Sequence, residues 1–345
     1  MAAAYTARVN WLIYGANGYT GELIAREAAR RGHRPILAGR DAAKIEPLAR
    51  ELRCEARTFS LENISLDGVS LVLHCAGPFI VTSKPMVEAC IAAGAHYLDI
   101  TGEIGVFESI LHRRDVPVTL LPGVGFDVVP TDCLAAMLAA RLPGANDLML
   151  AFRMKGSDIS RGTMKTMIES IGESGAIRRD GRIMRVRSAY DMREIPFSSG
   201  ARSAMTIPWG DVSTAYYTTG IPNIRVYMAT PASRIKMMRR FGPLLRLLSP
   251  KPIRRTLQAM ANRRGGPNEE QRTTGRVYLW GQASNARGES VQMTMTTPEG
   301  YAFTAISAVN AVERVLASPK PGAWTPAKLL GSDFVTSVPG VVIDA

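Results

Sequence analysis

The sequence predicts an α/β protein in which a doubly wound parallel sheet is followed by a second, α+β domain containing a largely antiparallel sheet. Three observations carry this prediction. Over the first third, short apolar runs alternate with segments of helical period; a glycine-rich turn joins the first run to the first helix; from Asp147 the alternation gives way to strand-like segments with fewer helices. At 345 residues the chain is long enough for two cores.

The first apolar run, VNWLIY, ends directly in Gly15, and GELIAREAARRGH then places Leu23, Ile24 and Ala28 at helical spacing before Gly32 closes the helix. PILAG reads as the next strand, and DAAKIEPLAREL as a helix whose limits Pro47 obscures. SLVLHCAG is an apolar strand ending in glycine. After Pro85, MVEACIAAG is helical in pattern, AHYLDI a strand, IGVFESILHRR a helix and VPVTLLPG the last strand of the first domain, residues 1–122. Such alternation implies parallel strands joined by right-handed crossovers. In the second domain, residues 123–318, DLMLAFRMKG, RIMRVRSAY, NIRVYMATP, GRVYLWGQAS and SVQMTMTTP resemble strands. The Pro- and Gly-rich tail, 319–345, is expected to pack back on the body through TPAKLLG.

Composition narrows the class. With 46% hydrophobic and 21% charged residues, the chain has the balance of a soluble globular protein. No secretory signal pattern opens it and no run reaches the length of a membrane span, so a cytoplasmic location is expected. Cys54, Cys75, Cys90 and Cys133 are scattered without ligand spacing, which predicts reduced thiols and no metal site. The net charge of +12 would suit nucleic acid only with a recognisable module, and none is present; a small molecule is the expected partner.

Gly15, Gly18 and Gly21 in GANGYTG form a GxxGxxG turn, a variant of the dinucleotide fingerprint, in which the backbone and a helix N-terminus approach a pyrophosphate. Asn17, Tyr19 and Thr20 belong to the same turn. This identifies the first domain as a Rossmann domain. Arg40, at the tip of the second strand, stands where NAD-specific proteins place an acid for the ribose diol, so NADP(H) is favoured over NAD(H); Asp41 caps the next helix or meets the ribose. CAGPF brings Ala76, Gly77, Pro78 and Phe79 to the carboxyl edge of the sheet, where cofactor contact is expected.

These motifs resemble the saccharopine dehydrogenase-like oxidoreductases, including the trans-acting enoyl reductases. The resemblance rests on GANGYTG (15–21), AGR (38–40), CAGPF (75–79), AHYLDITGE (95–103), GVGFDVVPTD (123–132), RGT (161–163), GPNEEQR (266–272) and EGYAFTAISAVNAVERVL (299–316). It implies an NAD(P)-binding domain facing a second domain across a cleft, and an oxidoreductase that reduces the C=C bond of a lipophilic or polyketide-like substrate. It does not imply saccharopine as substrate. Reduction of a polar imine or keto compound, and a non-catalytic NADP-binding scaffold, remain alternatives.

Hydride transfer is carried by a nicotinamide, so the protein need supply only orientation and one proton. Glu103, Asp127 and Tyr97 are the catalytic candidates, with Asp99 and Thr101 nearby; helix capping accounts for Glu103 and Asp127 equally well. Arg161, Thr163 and Lys165 are the candidate substrate contacts, because a helix opening at RGT can hold an anionic or carbonyl oxygen. Of the four histidines, His33, His74, His96 and His112, three lie in strand or helix contexts that suit structural roles. No GxSxG, HExxH or P-loop sequence is present.

The segment from Ala232 to Met260 combines eight basic residues with an apolar stripe and contains neither Asp nor Glu. It is read as a cap over an apolar substrate channel with weak, salt-sensitive membrane contact, or as an amphipathic pair packing on its own domain or on a second subunit of a homodimer.

Overall fold

A computed structural model describes residues 10–113, 115–158, 164, 174–245 and 266–344. Its first sheet has seven parallel strands. From one edge to the other they are β3 (Ala56–Thr58), β2 (Ile36–Gly39), β1 (Trp11–Tyr14), β4 (Leu71–His74), β5 (His96–Asp99), β6 (Thr119–Leu121) and β15 (Gly322–Ala323). The first six follow the order 3-2-1-4-5-6 of a Rossmann sheet. Strands β1, β2 and β4 are buried along their whole length, as their uninterrupted apolar runs require in a sheet covered on both faces. The edge strand β3, with the sequence ART, has no apolar run and is not visible in the sequence.

Helices α1 (Tyr19–Arg30), α2 (Ala42–Leu52), α3 (Phe79–Ala93) and α4 (Ile104–Leu111) connect these strands, and α5 (Val129–Arg141) leads out. Among these helices, α2 and α3 each carry a proline in their interior. Pro47 lies within α2, and α3, which passes through Pro85, begins at Phe79, seven residues earlier than Met86, where the sequence pattern starts it. An interior proline costs a helix about 3 kcal/mol. The Glu103 carboxylate offsets part of that cost, accepting from the first two backbone N–H groups of α3.

The second sheet is mixed. Strands β10 (Met192–Phe197), β11 (Gly200–Thr206), β12 (Asn223–Ala229), β7 (Asp147–Lys155), β13 (Arg276–Ser284), β14 (Ser290–Pro298) and β16 (Val342–Asp344) lie side by side. Strand β8 (Gly175–Arg179) joins the edge of β12 and carries β9 (Arg182–Val186) beyond it. Within this otherwise antiparallel set, β7 and β12 run parallel. Five of the strands match segments read from the sequence; β8, β10, β11 and β16 do not, because they are short, largely exposed or interrupted, as β10 is by Pro196. One face of the sheet packs Leu148, Leu150, Phe152, Ile224, Val226 and Leu279 into the main core.

Residues 300–344 stitch the two sheets together. The helix Gly300–Ala317 leaves β14 and packs on α1, where Arg31 donates to Asn310 (2.6 Å) and His33 meets Glu313 (2.8 Å). This helix, grouped by the sequence with the second domain, therefore covers the first. Beyond it β15 extends the Rossmann sheet beside β6 and β16 closes the edge of the second sheet beside β14. On the other flank, Arg178, only 4% exposed, donates to the carbonyls of Val212 and Gly181 and to Glu108 of α4.

Arg161, Thr163 and Lys165 lie outside the described residues, as do residues 246–260 of the basic segment. Its first part is a helix, Ala232–Leu245, that packs buried Ile235 against Ala189 and Met205 while Arg239 donates to the carbonyls of Ala189 and Tyr190. Among the described residues no helix is long and apolar enough to cross a membrane.

Candidate active site

The glycine turn is built by close backbone packing. Gly15 has φ +84°, a region that favours glycine, and a Cβ there would lie 2.8 Å from the Cβ of Ala76. Gly21 lets α1 start against the turn itself: a Cβ would stand 2.3 Å from the Gly15 carbonyl oxygen. Gly15 N donates to Ala38 O (2.8 Å) and Gly18 N to Gly15 O (2.9 Å), so the loop is pinned to β2 and folded on itself. No side chain caps α1, whose first N–H groups remain free for an anion. These are the features a pyrophosphate cradle needs.

Asn17 lies across the turn against Gly39, where a Cβ would come within 3.1 Å of its Oδ1. Arg40 follows, exposed and without an ion pair or hydrogen bond among the described residues. Asp41 sits at the N-cap of α2 with its carboxylate on Lys44 at 2.8 Å. A free guanidinium thus projects at the tip of β2.

The CAGPF loop borders the turn through Ala76 and is fixed at both ends. Thr82 Oγ1 donates to Ala76 O (2.7 Å), and Glu103 accepts from Phe79 N (2.9 Å) and Ile80 N (2.7 Å). Beneath the loop His74 is fully buried between Tyr14 and Phe79, and burial pushes its pKa down to about 3, so it is a neutral structural ring.

Three acids and a tyrosine occupy the adjoining strand ends, and the structure separates their roles. Tyr97 is 0% exposed, and its hydroxyl donates to Asp99 (2.8 Å), which also accepts from Thr101 N and Gly123 N. This enclosed network holds DITGE against the end of β6 and has no path to a ligand; Tyr97, a catalytic candidate in the sequence, has a structural place. Glu103 likewise is occupied as the anchor of α3. Asp127 differs. It is half-buried, with no hydrogen-bond or ion-pair partner among the described residues, and its carboxyl is pushed up to about 7 by burial and by the charge of Glu103. Gly102 makes room for it, since a Cβ there would lie 2.8 Å from Asp127 Oδ2. Nor does it cap α5, whose N-cap, Val128, has no side-chain bond.

The loop carrying Asp127 rests on the helix Gly300–Ala317: Phe126 N donates to Thr304 Oγ1 (2.9 Å) and Ser307 Oγ to Val124 O (2.9 Å). Beside it Phe126 meets Phe152 and Phe303 edge-on, and Trp209 lies over Phe152 with ring centroids 4.8 Å apart. This aromatic wall joins the Asp127 loop to the second sheet. The sequence offers no sign of it, because its members are far apart in the chain.

Tyr19 has a role that sequence reasoning missed. Its hydroxyl donates to Pro267 O (2.5 Å), Arg272 donates to both of those oxygens, and the ring stands edge-on to Tyr301. Gly266 closes over the ring so tightly that a Cβ would lie 2.4 Å from it. The phosphate turn is therefore clasped by the GPNEEQR segment. The available signal was the pairing of a glycine-proline step with an aromatic residue inside a glycine turn.

Comparison with known proteins accords with this geometry. The model of the saccharopine dehydrogenase NADP-binding domain matches residues 11–116. The human saccharopine dehydrogenase-like oxidoreductase is 26% identical over 219 residues, 54% of this chain and 50% of the human one. A trans-acting enoyl reductase of Mycobacterium bovis is 29% identical over 138 residues, 35% of this chain and 33% of that protein. The chain thus spans half or less of the length of these relatives. In fold, it superposes on apo saccharopine dehydrogenase (L-Glu forming) of Saccharomyces cerevisiae with a TM-score of 0.62, over 94% of this chain and 96% of that one, at 12% identity. Residues 11–116 are therefore a domain of the saccharopine dehydrogenase NADP-binding kind.

Proposed function

We propose that this protein is an NADP(H)-dependent oxidoreductase that reduces the C=C bond of a lipophilic, enoyl-type substrate. The observation that carries this reading is Asp127: a half-buried carboxyl without a hydrogen-bond or ion-pair partner among the described residues, pushed up to about 7 and set beside an aromatic cluster. The turn of Gly15, Gly18 and Gly21 suits a pyrophosphate, since it closes so tightly that a Cβ at Gly15 would meet Ala76 and one at Gly21 the Gly15 carbonyl while α1 starts without a side-chain cap, and Arg40, unpaired among the described residues, suits the 2′-phosphate. When bound, NADPH supplies a hydride. Ala76 and Gly77 offer a low wall along which the coenzyme reaches the end of β4. With its carboxyl raised to about 7, Asp127 is partly protonated at neutral pH and in that form can give its proton to the carbon that becomes nucleophilic on reduction. Trp209, part-exposed over the buried Phe152, offers an apolar face that favours an apolar substrate over a charged one.

The names of the relatives support the oxidoreductase class, and that of the mycobacterial relative supports the enoyl assignment. The test is NADPH oxidation with a panel of enoyl thioesters of increasing chain length beside polar imines and 2-keto acids. Turnover that rises with chain length is the expected result. Turnover confined to the polar compounds would overturn the substrate class, and tight NADPH binding with no turnover on either set would overturn the enzymatic reading.

A further inference from the structure

The second domain has a cleft of its own, of about 540 Å³, to which no residue of the Rossmann domain contributes. Its charge is set by Arg179, Arg187, Arg193 and Arg225 on one side of the balance and by Asp147 and Asp191 on the other. Two of the arginines are neutralised: Arg225 grips Asp147 through contacts of 2.7 and 2.8 Å, and Arg193 reaches Asp191 at 3.1 Å. The other two are not. Arg179 donates only to the neutral Tyr190 hydroxyl, at 3.3 Å, and Arg187 has no carboxylate within ion-pair distance among the described residues. Arg178 also borders the cleft, but its guanidinium is committed to Glu108 and two carbonyls.

Two uncompensated guanidinium groups across a concave surface match a charge near −2, and their forked donors suit a tetrahedral oxyanion. A phosphate monoester carries about −1.5 to −2 at pH 7. The rest of the lining specifies the remainder of the ligand. Ile177 is its one aliphatic side chain, so an acyl chain would gain little there, whereas the aspartates can accept from hydroxyl groups. The volume lies within the range of small-molecule sites, about 300–1,000 Å³, and is larger than a lone phosphate needs.

We infer that this cleft binds a soluble phosphate monoester of a hydroxyl-bearing small molecule, at a site separate from the coenzyme turn. Titration calorimetry with ribose 5-phosphate tests it, with ribose as the uncharged control. The variants are Arg179→Ser/Arg187→Ser, which alters two exposed side chains, and Arg40→Ala, which alters the coenzyme turn. One site per chain is expected in the wild type and in Arg40→Ala, with affinity at least tenfold weaker in the double variant, no binding of ribose, and NADPH binding unchanged in the double variant. The inference is overturned if the wild type does not bind ribose 5-phosphate, if the double variant binds it equally well, or if Arg40→Ala alone abolishes binding. Flotation with phosphatidic acid vesicles in the absence of ribose 5-phosphate binding would also overturn it, by assigning the arginines to a lipid headgroup.

Discussion

Two glycines with nearly the same backbone angle allow the tightness of the phosphate turn to be measured. Gly15 has φ +84° and Gly32 φ +88°, but a Cβ at Gly32 meets nothing within 4 Å, whereas at Gly15 it would lie 2.8 Å from the Ala76 Cβ and 2.9 Å from the Ala76 nitrogen. Alanine at Gly32 thus bears only the left-handed conformation, about 1–2 kcal/mol. Alanine at Gly15 adds overpacking against backbone, about 1–3 kcal/mol, for a total of about 2–5 kcal/mol. Against a typical stability of about 5–15 kcal/mol, the Gly15→Ala protein is expected to fold with a lowered urea midpoint. Relief of the clash must move the turn away from Ala76, so NADPH affinity, read by fluorescence titration, is expected to fall at least about tenfold, since a shift worth 1.4 kcal/mol suffices. Gly32→Ala is expected to bind NADPH normally. Equal urea midpoints for the two variants, together with unchanged NADPH affinity in Gly15→Ala, would refute the idea that the turn's closeness to Ala76 shapes the coenzyme site.

Four further expectations follow. Arg40→Ala should weaken NADPH by about tenfold or more and leave NADH unchanged, since the guanidinium is proposed to pair with the 2′-phosphate; equal titrations for both coenzymes in wild type and variant would refute this. Asp127 should make turnover fall as pH rises through about 7, with Asp127→Asn slow and flat in its pH profile. The same group enters stability: Asp99 and Asp132 are raised to about 6 and Asp127 to about 7, so the native state keeps protons that the unfolded chain has lost. The stability these acids confer is full below about pH 4 and is lost as pH rises through 6–7. A melting temperature that climbs steadily from pH 4 to pH 7, and climbs equally in Asp127→Asn, would contradict this. Finally, the basic segment from Ala232 is proposed to bind anionic liposomes weakly at low salt and to release them at high salt; absence of flotation at either salt removes that role.

The sequence by itself determined the Rossmann half and its glycine turn. Continuous apolar strands and close-packed glycines are local requirements, imposed by burial on both faces and by a backbone approach that no Cβ permits, and so they are written in neighbouring residues. The ambiguity it left at Glu103 and Asp127 is also local in origin, because two carboxylates at strand ends look alike until their partners are known. Only the tertiary structure gave Glu103 the N–H groups of α3, left Asp127 without a partner among the described residues, and enclosed Tyr97 with Asp99. It alone set Pro267 and Arg272 on Tyr19, brought Phe126, Phe152 and Trp209 together, and returned the helix Gly300–Ala317 to α1. These contacts join residues far apart in the chain. What decides them is which surfaces meet when the sheets pack, a property that no spacing of residues along the sequence encodes.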